Sequence, residues 1–349
     1  MRIAIIGSGA MGTILGAFLA KANYDVSLVD TNQAHIDALN THGARVIGTQ
    51  VFTVPVTAIT PEQMSGVYDL AILFTKQTAN HIVLPHLQSF LKPDSIVCTL
   101  QNGVPEPSVA GYVGKERTMG GASNWSATYE EPGISNLTQD LAKTEYLFDL
   151  GEISGGITPR VQAVAKILEE MGRPVKQVDN LMESRYGKLV LNACVSGMSA
   201  VCGITFGEVL DHPVSRACVS HIGNEVMQVA RAEGYALPVV AGHYSLDSLA
   251  LESQAMFDTN QQMFIDLYSV VKGGKASMLQ DLEKGLPTEV RMINGFVSDV
   301  GDKHHIDTPF NDKVVEIITS IEKGERTYSL DNLELFDKQL FAFEAYQPS

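Results

Sequence analysis

The sequence predicts an α/β protein in which an N-terminal, doubly wound parallel sheet precedes a second, all-α C-terminal domain. Over the first third of the chain, short apolar runs alternate with helical patterns. A glycine-rich hexapeptide directly follows the first of these runs, and strand signals nearly vanish after about Asn180. With 349 residues, the chain also exceeds the size of one ordinary domain. Two domains are therefore expected.

The apolar runs and periodic segments place the individual elements. Strands are expected at residues 2–6, 26–29, 70–74 and 95–100. Turn signals within residues 118–150, such as Glu131-Pro132-Gly133, predict antiparallel additions to the same sheet. Helices are expected at residues 181–202, 213–234, 259–271, 287–302 and 310–323. The predicted domains are thus residues 1–180 and 181–324, followed by a tail, 325–349, whose apolar patches show no clear period.

Composition limits the classes of partner. The chain carries 25 Lys and Arg residues against 40 Asp and Glu residues, a formal net charge of −15. Because such a chain repels polyanions at neutral pH, neither nucleic acid nor an anionic membrane is an expected partner. An anionic small substrate would need a few local cations to overcome this background.

The cysteines and the apolar segments indicate a cytoplasmic protein. The four cysteines show no C-x-x-C pair and no zinc-like spacing with the nine histidines, so we expect reduced, buried thiols and no metal site. The first residues imitate a signal peptide, but glycines interrupt their apolar stretch. The uncharged segment 189–207 contains polar residues such as Asn192 and Thr205, which favours a buried helix over a membrane span.

The glycine-rich hexapeptide has the context of a dinucleotide-binding motif. Its residues are Gly7, Ser8, Gly9, Ala10, Met11 and Gly12, between the first strand and an apolar helical run. In the G-x-G-x-x-G pattern the glycines allow a tight turn, close approach of the pyrophosphate and close packing of helix on strand. The phosphates then bind at the helix N-terminus. The first domain is therefore predicted to be a Rossmann-type domain that binds a nicotinamide dinucleotide.

Asp30, at the end of the second predicted strand, bears on the choice of cofactor. A carboxylate at this position can bind the adenosine ribose hydroxyls and repels a 2′-phosphate, so NAD(H) is expected to be preferred over NADP(H). A cap on the following turn or helix is the alternative role for Asp30.

A polar stripe interrupts the apolar pattern of the second domain. Lys188, Asn192 and Ser196 follow one another at steps of four and therefore share a face of the predicted helix. The apolar flanks indicate partial burial, under which a lysine finds a partner or loses its proton more easily. Such a lysine can act as a general acid or base, although a solvated surface charge is an equal alternative.

Several short motifs, separated along the chain, occur in a characteristic order. They are Gly7 to Gly12, Thr75-Lys76, Gln101-Asn102-Gly103, Lys188 to Asn192, and Ser277 to Asp281 leading to Pro287-Thr288-Glu289. In this order they resemble the ketopantoate reductases (2-dehydropantoate 2-reductases) from Met1 to about Lys323. The resemblance implies that a small 2-oxo acid is reduced to a D-2-hydroxy acid, 2-dehydropantoate to (R)-pantoate in the first instance, in a cleft between a Rossmann domain and a helical domain. It also allows a homodimer.

The resemblance implies roles for the helical-domain residues. Lys188 would give a proton to the carbonyl oxygen as hydride reaches the substrate, and Glu289 would orient Lys188 or contact cofactor and substrate. Asn192 and Ser277 would hydrogen-bond the substrate. Two alternatives remain for these positions: Ser277 could cap a helix that begins at Met278, and Glu289 could be a first-turn carboxylate favoured by the helix dipole.

In the first domain, the resemblance implies that Lys76 and Asn102 face cofactor and substrate from the ends of strands or the loops beyond them. Asn102 could instead cap the turn before Gly103. Lys76, Lys188 and the N-terminus of the first helix are the candidate local cations for an anionic substrate.

Two departures from the family pattern suggest a less polar substrate pocket. Ser196 and Phe206 stand where the family usually has asparagines that help to bind the substrate. Together with Asp30, they raise the alternative of an NAD-dependent D-2-hydroxyacid dehydrogenase acting on branched or aromatic substrates. A third alternative is a dinucleotide-binding redox sensor without catalysis, which would not need a proton donor such as Lys188.

Overall fold

The computed structural model describes residues 1–240 and 244–336. The chain forms two compact units, Met1–Leu181 and Met182–Ser349. The first unit is a mixed α/β structure, and the second consists mainly of helices.

The first unit contains twelve strands and five α-helices. The strands are β1 Arg2–Ile6, β2 Asp25–Val29, β3 Ala44–Gly48, β4 Phe52–Val54, β5 Thr57–Ile59, β6 Tyr68–Leu73, β7 Leu91–Thr99, β8 Thr118–Ser123, β9 Ala127–Glu131, β10 Ile134–Leu137, β11 Phe148–Glu152 and β12 Val175–Gln177. The helices are α1 Ala10–Lys21, α2 Gln33–His42, α3 Asn80–Gln88, α4 Glu106–Val113 and α5 Pro159–Leu168.

The main sheet has eight strands in the order β12-β11-β8-β7-β6-β1-β2-β5. All neighbouring strands in it are parallel except β8 and β11. Strand β1 lies inside this sheet, and its side chains enter apolar clusters on opposite faces: Ile3 and Ile5 pack on one side, Ala4 and Ile6 on the other. Burial on both faces explains why β1 reads as an unbroken apolar run, and the predicted α/β class is confirmed.

A second, four-stranded sheet corrects one prediction. Its order is β4-β3-β10-β9, so the hairpin around Glu131-Pro132-Gly133 does not extend the main sheet. The carbonyl oxygen of Gly133 accepts a hydrogen bond from the backbone N–H of Arg45 at 2.9 Å, and β10 then pairs in parallel with β3. Of the strands within residues 118–150, β8 and β11 join the main sheet, where they form its antiparallel pair. Turn residues identify a hairpin but carry no information about the sheet that it joins.

The second unit is a helical assembly with one short hairpin. Its helices are α6 Leu181–Ala193, which starts at the last residue of the first unit, α7 Val195–Cys202, α8 Phe206–Asp211, α9 Pro213–Ala232, α10 Gln254–Tyr268, α11 Ser277–Glu283, α12 Val290–His304 and α13 Pro309–Glu322. The hairpin consists of β13 Val239–Val240 and β14 Tyr244–Ser245. The predominantly helical second domain is therefore confirmed.

Some helix boundaries differ from those predicted. Helix α10 begins earlier than residue 259 because the Ser253 hydroxyl caps it, accepting the Met256 N–H at 3.2 Å. The predicted helix 181–202 is divided at Cys194. All four cysteines are buried and unbridged, as predicted.

The beginning of the predicted tail packs on the helical unit. Asn332 is buried and its side-chain amide donates to the Val201 carbonyl at 2.9 Å, while Leu333 and Phe336 are buried beside it. The remainder of the tail, residues 337–349, lies outside the described residues. Within 1–240 and 244–336, the structure has no helix with both the length and the apolarity needed to cross a bilayer.

Candidate active site

The glycine-rich loop lies where β1, β2 and β6 end together. Gly7 donates its N–H to the Val29 carbonyl at 2.9 Å and has a φ of +92°, a conformation that favours glycine. A Cβ on Gly7 would lie 2.7 Å from the backbone nitrogen of Thr75. The first glycine of the motif is therefore required by both conformation and space.

The other two motif glycines have opposite surroundings. A Cβ on Gly12 would lie 2.1 Å from the Gly7 carbonyl oxygen, whereas a Cβ on Gly9 would meet nothing within 4 Å. Gly9 is the N-cap of α1, and neither a capping side chain nor an acidic first-turn residue occupies that end of the helix. The open space beside a helix N-terminus fits the phosphates of a dinucleotide.

Asp30 follows β2 directly, and its carboxylate accepts two hydrogen bonds. Its Oδ2 accepts from the Ser8 hydroxyl at 3.3 Å, which places the carboxylate beside the glycine-rich loop. Its Oδ1 accepts from the Asn32 N–H at 3.0 Å, so the turn-capping role is present as well. Because a carboxylate can accept several hydrogen bonds, Asp30 can cap this turn and still bind the hydroxyls of a ribose.

Two neighbouring loops carry Lys76 and Asn102, as predicted. Lys76 precedes a short 3₁₀ helix, Gln77–Ala79, after β6, and Asn102 lies in the loop after β7. Gln101 is buried and donates from its amide to the Thr75 carbonyl at 2.8 Å, while Gln77 donates to the Asn102 carbonyl. These reciprocal bonds hold the loops together. The sequence interpretation did not assign these contacts to Gln101, although its motif was identified.

Helices α6 and α7 carry the predicted polar stripe. Lys188 and Asn192 lie on α6 and Ser196 lies on α7, and all three are partly exposed. Cys194 interrupts the helix with a ψ of −86°. The helical register nevertheless continues, because Cys194 donates to the Val190 carbonyl at 3.0 Å and accepts from the Met198 N–H at 3.1 Å. The stripe therefore persists across the interruption as predicted.

Side chains from two other helices hold the interruption in place. The Tyr268 hydroxyl donates to the Leu191 carbonyl at 3.0 Å, and the Asn294 amide donates to the Ala193 carbonyl at 3.1 Å. Because both carbonyls flank Asn192, these contacts fix the backbone at a candidate substrate-binding position. No sequence signal identified Tyr268 or Asn294.

Phe206 belongs to the same region. It is the first residue of α8, and its ring meets Tyr268 edge-on, with 5.2 Å between the ring centroids. Phe206 thus places an aromatic surface beside the tyrosine that binds α6.

Ser277 and Glu289 stand at helix N-termini, but neither caps through its side chain. Ser277 is the exposed first residue of α11, and Ala276 occupies the cap position, so the predicted capping alternative for Ser277 is wrong. The Ser199 hydroxyl accepts from the Ala276 N–H at 3.4 Å and links this end of α11 to α7. Glu289 is the buried N-cap residue of α12, one position before the helix, and its side chain makes no capping hydrogen bond.

A buried polar network lies behind the α6 contact. Asn294 donates to the Asn311 amide oxygen at 2.9 Å, and Asn311 donates to Glu225 at 2.7 Å. Glu225 also accepts the N–H groups of Phe310 and Asn311, each at 2.9 Å, at the start of α13. Burial raises the pKa of Glu225 to about 8, although these three hydrogen bonds oppose that shift.

Comparisons with known proteins identify the family that the chain matches. The family described as "Ketopantoate reductase PanE/ApbA" matches residues 3–146, and its C-terminal counterpart, "Ketopantoate reductase PanE/ApbA C terminal", matches residues 180–322. The 2-dehydropantoate 2-reductase of Archaeoglobus fulgidus is 26% identical over 93% of this chain and 98% of its own. That of Lactococcus lactis is 28% identical over 93% of this chain and 98% of its own.

A solved structure is also similar. The ternary structure of D-mandelate dehydrogenase with NADH and anilino(oxo)acetate matches with a TM-score of 0.80 at 26% identity, over 93% of this chain and 99% of that chain. The family matches cover most of each unit and include all the motifs named in the sequence analysis. The chain belongs to the ketopantoate reductase family of NAD(P)-dependent oxidoreductases.

Proposed function

We propose that the protein reduces a small 2-oxo acid to a D-2-hydroxy acid, with 2-dehydropantoate as the first candidate substrate and (R)-pantoate as the product. The observation that carries this proposal is the partly exposed face of Lys188, Asn192 and Ser196, in a segment, 187–202, whose other residues except Leu191 are buried. A positioned proton donor with neighbouring hydrogen-bonding groups is what reduction of a carbonyl requires.

The first unit supplies the cofactor site in this proposal. The loop from Gly7 to Gly12 and the N-terminus of α1 bind the pyrophosphate, and Asp30 binds the adenosine ribose. A bound nicotinamide cofactor supplies the hydride. Because the Asp30 carboxylate lies beside Ser8, a 2′-phosphate would bring two negative charges together, which supports a preference for NAD(H) over NADP(H).

The second unit supplies the proton and the substrate contacts. As hydride reaches the carbonyl carbon, negative charge develops on the oxygen, and the Lys188 ammonium donates a proton to it. Asn192 and Ser277 hydrogen-bond the substrate, while Glu289 orients Lys188 or contacts cofactor and substrate. Lys76 and Asn102, held by the Gln101 contacts, face the cofactor and substrate from the first unit.

Substitution of Lys188 tests this assignment. Lys188→Ala is expected to lower kcat by about a hundredfold or more, the usual contribution of a general acid, while the Kd for NADH stays unchanged. Lys313→Ala is the control. It also removes a lysine from a helix of the second unit, but Lys313 lies on α13, is paired with Glu316 and has no role in the proposed site. An unchanged kcat in Lys188→Ala would exclude the role.

A second candidate is an NAD-dependent D-2-hydroxyacid dehydrogenase that acts on branched or aromatic substrates. The edge-on pair of Phe206 and Tyr268 favours it, and a similar solved structure is a D-mandelate dehydrogenase bound to NADH. A panel of 2-oxo acids separates the candidates: a higher kcat/KM for an aromatic 2-oxo acid than for 2-dehydropantoate supports the second. Membership in an oxidoreductase family leaves the sensor alternative without support.

A homodimer and a cytoplasmic location complete the proposal. The dimer rests on the family resemblance, and sedimentation equilibrium of the purified protein tests it. The location rests on the buried, unbridged cysteines, which fit a reducing compartment. Fractionation of cells that express the chain tests that second point.

A further inference from the structure

His35 lies under the glycine-rich loop, and its hydrogen bonds define its protonation state. The residue is on α2 and is 1% exposed. Its Nε2 lies 2.7 Å from the Ser8 carbonyl oxygen, and its Nδ1 accepts the Gly133 N–H at 3.0 Å. Because a carbonyl only accepts and a backbone N–H only donates, the imidazole is neutral with its hydrogen on Nε2.

The Ser8 carbonyl is held by two donors. The Thr13 hydroxyl also donates to it, at 2.5 Å, so both lone pairs of the oxygen point into the protein. In a planar trans peptide the C=O and the next N–H point in opposite directions. The Gly9 N–H is therefore directed away from His35 and Thr13, and Gly9 itself is exposed, with nothing within 4 Å of an added Cβ.

We propose that His35 is a positioning residue for dinucleotide binding. As the neutral Nε2–H form it holds the Ser8 carbonyl inward and so aims the Gly9 amide at the pyrophosphate. The inference rests on the proposed function of the loop from Gly7 to Gly12. It also gives the hairpin at Gly133 a role, because that turn supplies the donor that selects this form of the imidazole.

The surroundings of His35 favour its neutral form. Burial lowers its pKa, opposed by the hydrogen bond to Ser8 and the charge of Asp30. Tyr129 on β9 faces the ring at a centroid distance of 5.2 Å, and the charges of Asp30 and Glu131 act on Tyr129. A proton added at Nδ1 would oppose the Gly133 N–H, so protonation is expected to disrupt the arrangement and weaken cofactor binding.

Two variants test the role. His35→Phe retains an aromatic ring but removes the hydrogen bonds to Ser8 and Gly133 and the contact of Nε2 with the Thr13 hydroxyl, and the Kd for NADH is expected to rise about tenfold while kcat at saturating NADH stays unchanged. Thr13→Val removes the second donor at nearly constant shape and is expected to raise that Kd about threefold. His86→Phe is the matched control, because His86 is exposed and its Nε2 contacts the Pro61 carbonyl at 2.9 Å. The Kd of His86→Phe for NADH should equal that of the wild type.

The pH profile separates positioning from a purely structural role. The wild-type affinity for NADH is expected to fall as the pH drops below the range in which an ordinary histidine titrates, and the His35→Phe profile is expected to be flat there. Thermal unfolding of each variant establishes that it is folded at the assay temperature. If the wild type binds NADH and the folded variants His35→Phe and Thr13→Val bind it with the same Kd as the wild type, the inference is overturned. If the wild type itself does not bind NADH, the proposed function fails instead.

Discussion

Substitution of Gly9 or Gly12 by alanine adds one methyl group at each position. At Gly12 this is expected to affect the stability of the fold, and at Gly9 the binding of the cofactor. At Gly12 an added Cβ lies 2.1 Å from the Gly7 carbonyl oxygen, and neither backbone segment can move freely. We expect Gly12→Ala to lower the free energy of unfolding by about 3 kcal/mol, the upper end of the usual range for overpacked sites. At Gly9 the same methyl group enters open space.

Two small effects nearly cancel in Gly9→Ala. Alanine restricts the unfolded chain, which stabilises the protein by about 0.4–1 kcal/mol. Alanine is also a poorer N-cap than glycine, which costs about 1 kcal/mol. We therefore expect the free energy of unfolding to stay within about 1 kcal/mol of the wild type. The methyl group occupies the space that the pyrophosphate needs, so the affinity for NADH should fall at least about tenfold, or about 1.4 kcal/mol.

Chemical denaturation and calorimetric titration with NADH measure the two quantities separately. The expected pattern is a stable Gly9→Ala that binds NADH weakly and an unstable Gly12→Ala. Equal destabilisation of both variants would show that the 2.1 Å contact at Gly12 does not determine the stability of this loop. A Gly9→Ala variant with wild-type affinity would show that the phosphates do not approach this position.

Three further predictions concern cofactor, substrate and pH. Asp30→Ser removes the charge that opposes a 2′-phosphate, so the ratio of kcat/KM for NADPH to that for NADH should rise at least about tenfold; initial rates with both cofactors measure it, and an unchanged ratio contradicts the role. Phe206→Asn would make the proposed substrate site more polar, so the ratio of kcat/KM for 2-dehydropantoate to that for an aromatic 2-oxo acid should rise. The same ratio in the variant and the wild type would exclude contact of Phe206 with the substrate. The pKa of Glu225 is raised to about 8, so the folded state binds the proton more tightly than the unfolded state and this contribution to stability is lost as the pH rises from about 4.5 through 8. Chemical denaturation across this pH range measures the free energy of unfolding, which should depend less on pH in Glu225→Gln than in the wild type. The same pH dependence in both proteins would contradict a raised pKa for Glu225.

The elements that the sequence predicted well have patterns set by local burial. Strand β1 is buried on both faces and appears as an apolar run, and its bounds, Arg2–Ile6, are those expected. The stripe of Lys188, Asn192 and Ser196 was visible because helical spacing survives the interruption at Cys194. In both cases the periodicity of a single segment carries the information.

The features that the sequence did not reveal depend on contacts between distant segments. The hairpin at Gly133 joins the second sheet through Arg45, which local turn chemistry cannot indicate. Tyr268 and Asn294 bind carbonyls of α6 from helices far along the chain, and a buried asparagine looks like a surface residue in sequence. His35 is likewise defined by its partners, since only the fold brings Ser8 and Gly133 to its two ring nitrogens.

Initial-rate measurement with a panel of 2-oxo acids and both nicotinamide cofactors decides whether the protein is a 2-oxo acid reductase. The purified protein is expected to oxidise NADH in the presence of 2-dehydropantoate or a close 2-oxo acid, with a higher kcat/KM for NADH than for NADPH. Failure of every 2-oxo acid in the panel to support oxidation of either cofactor would contradict the claim.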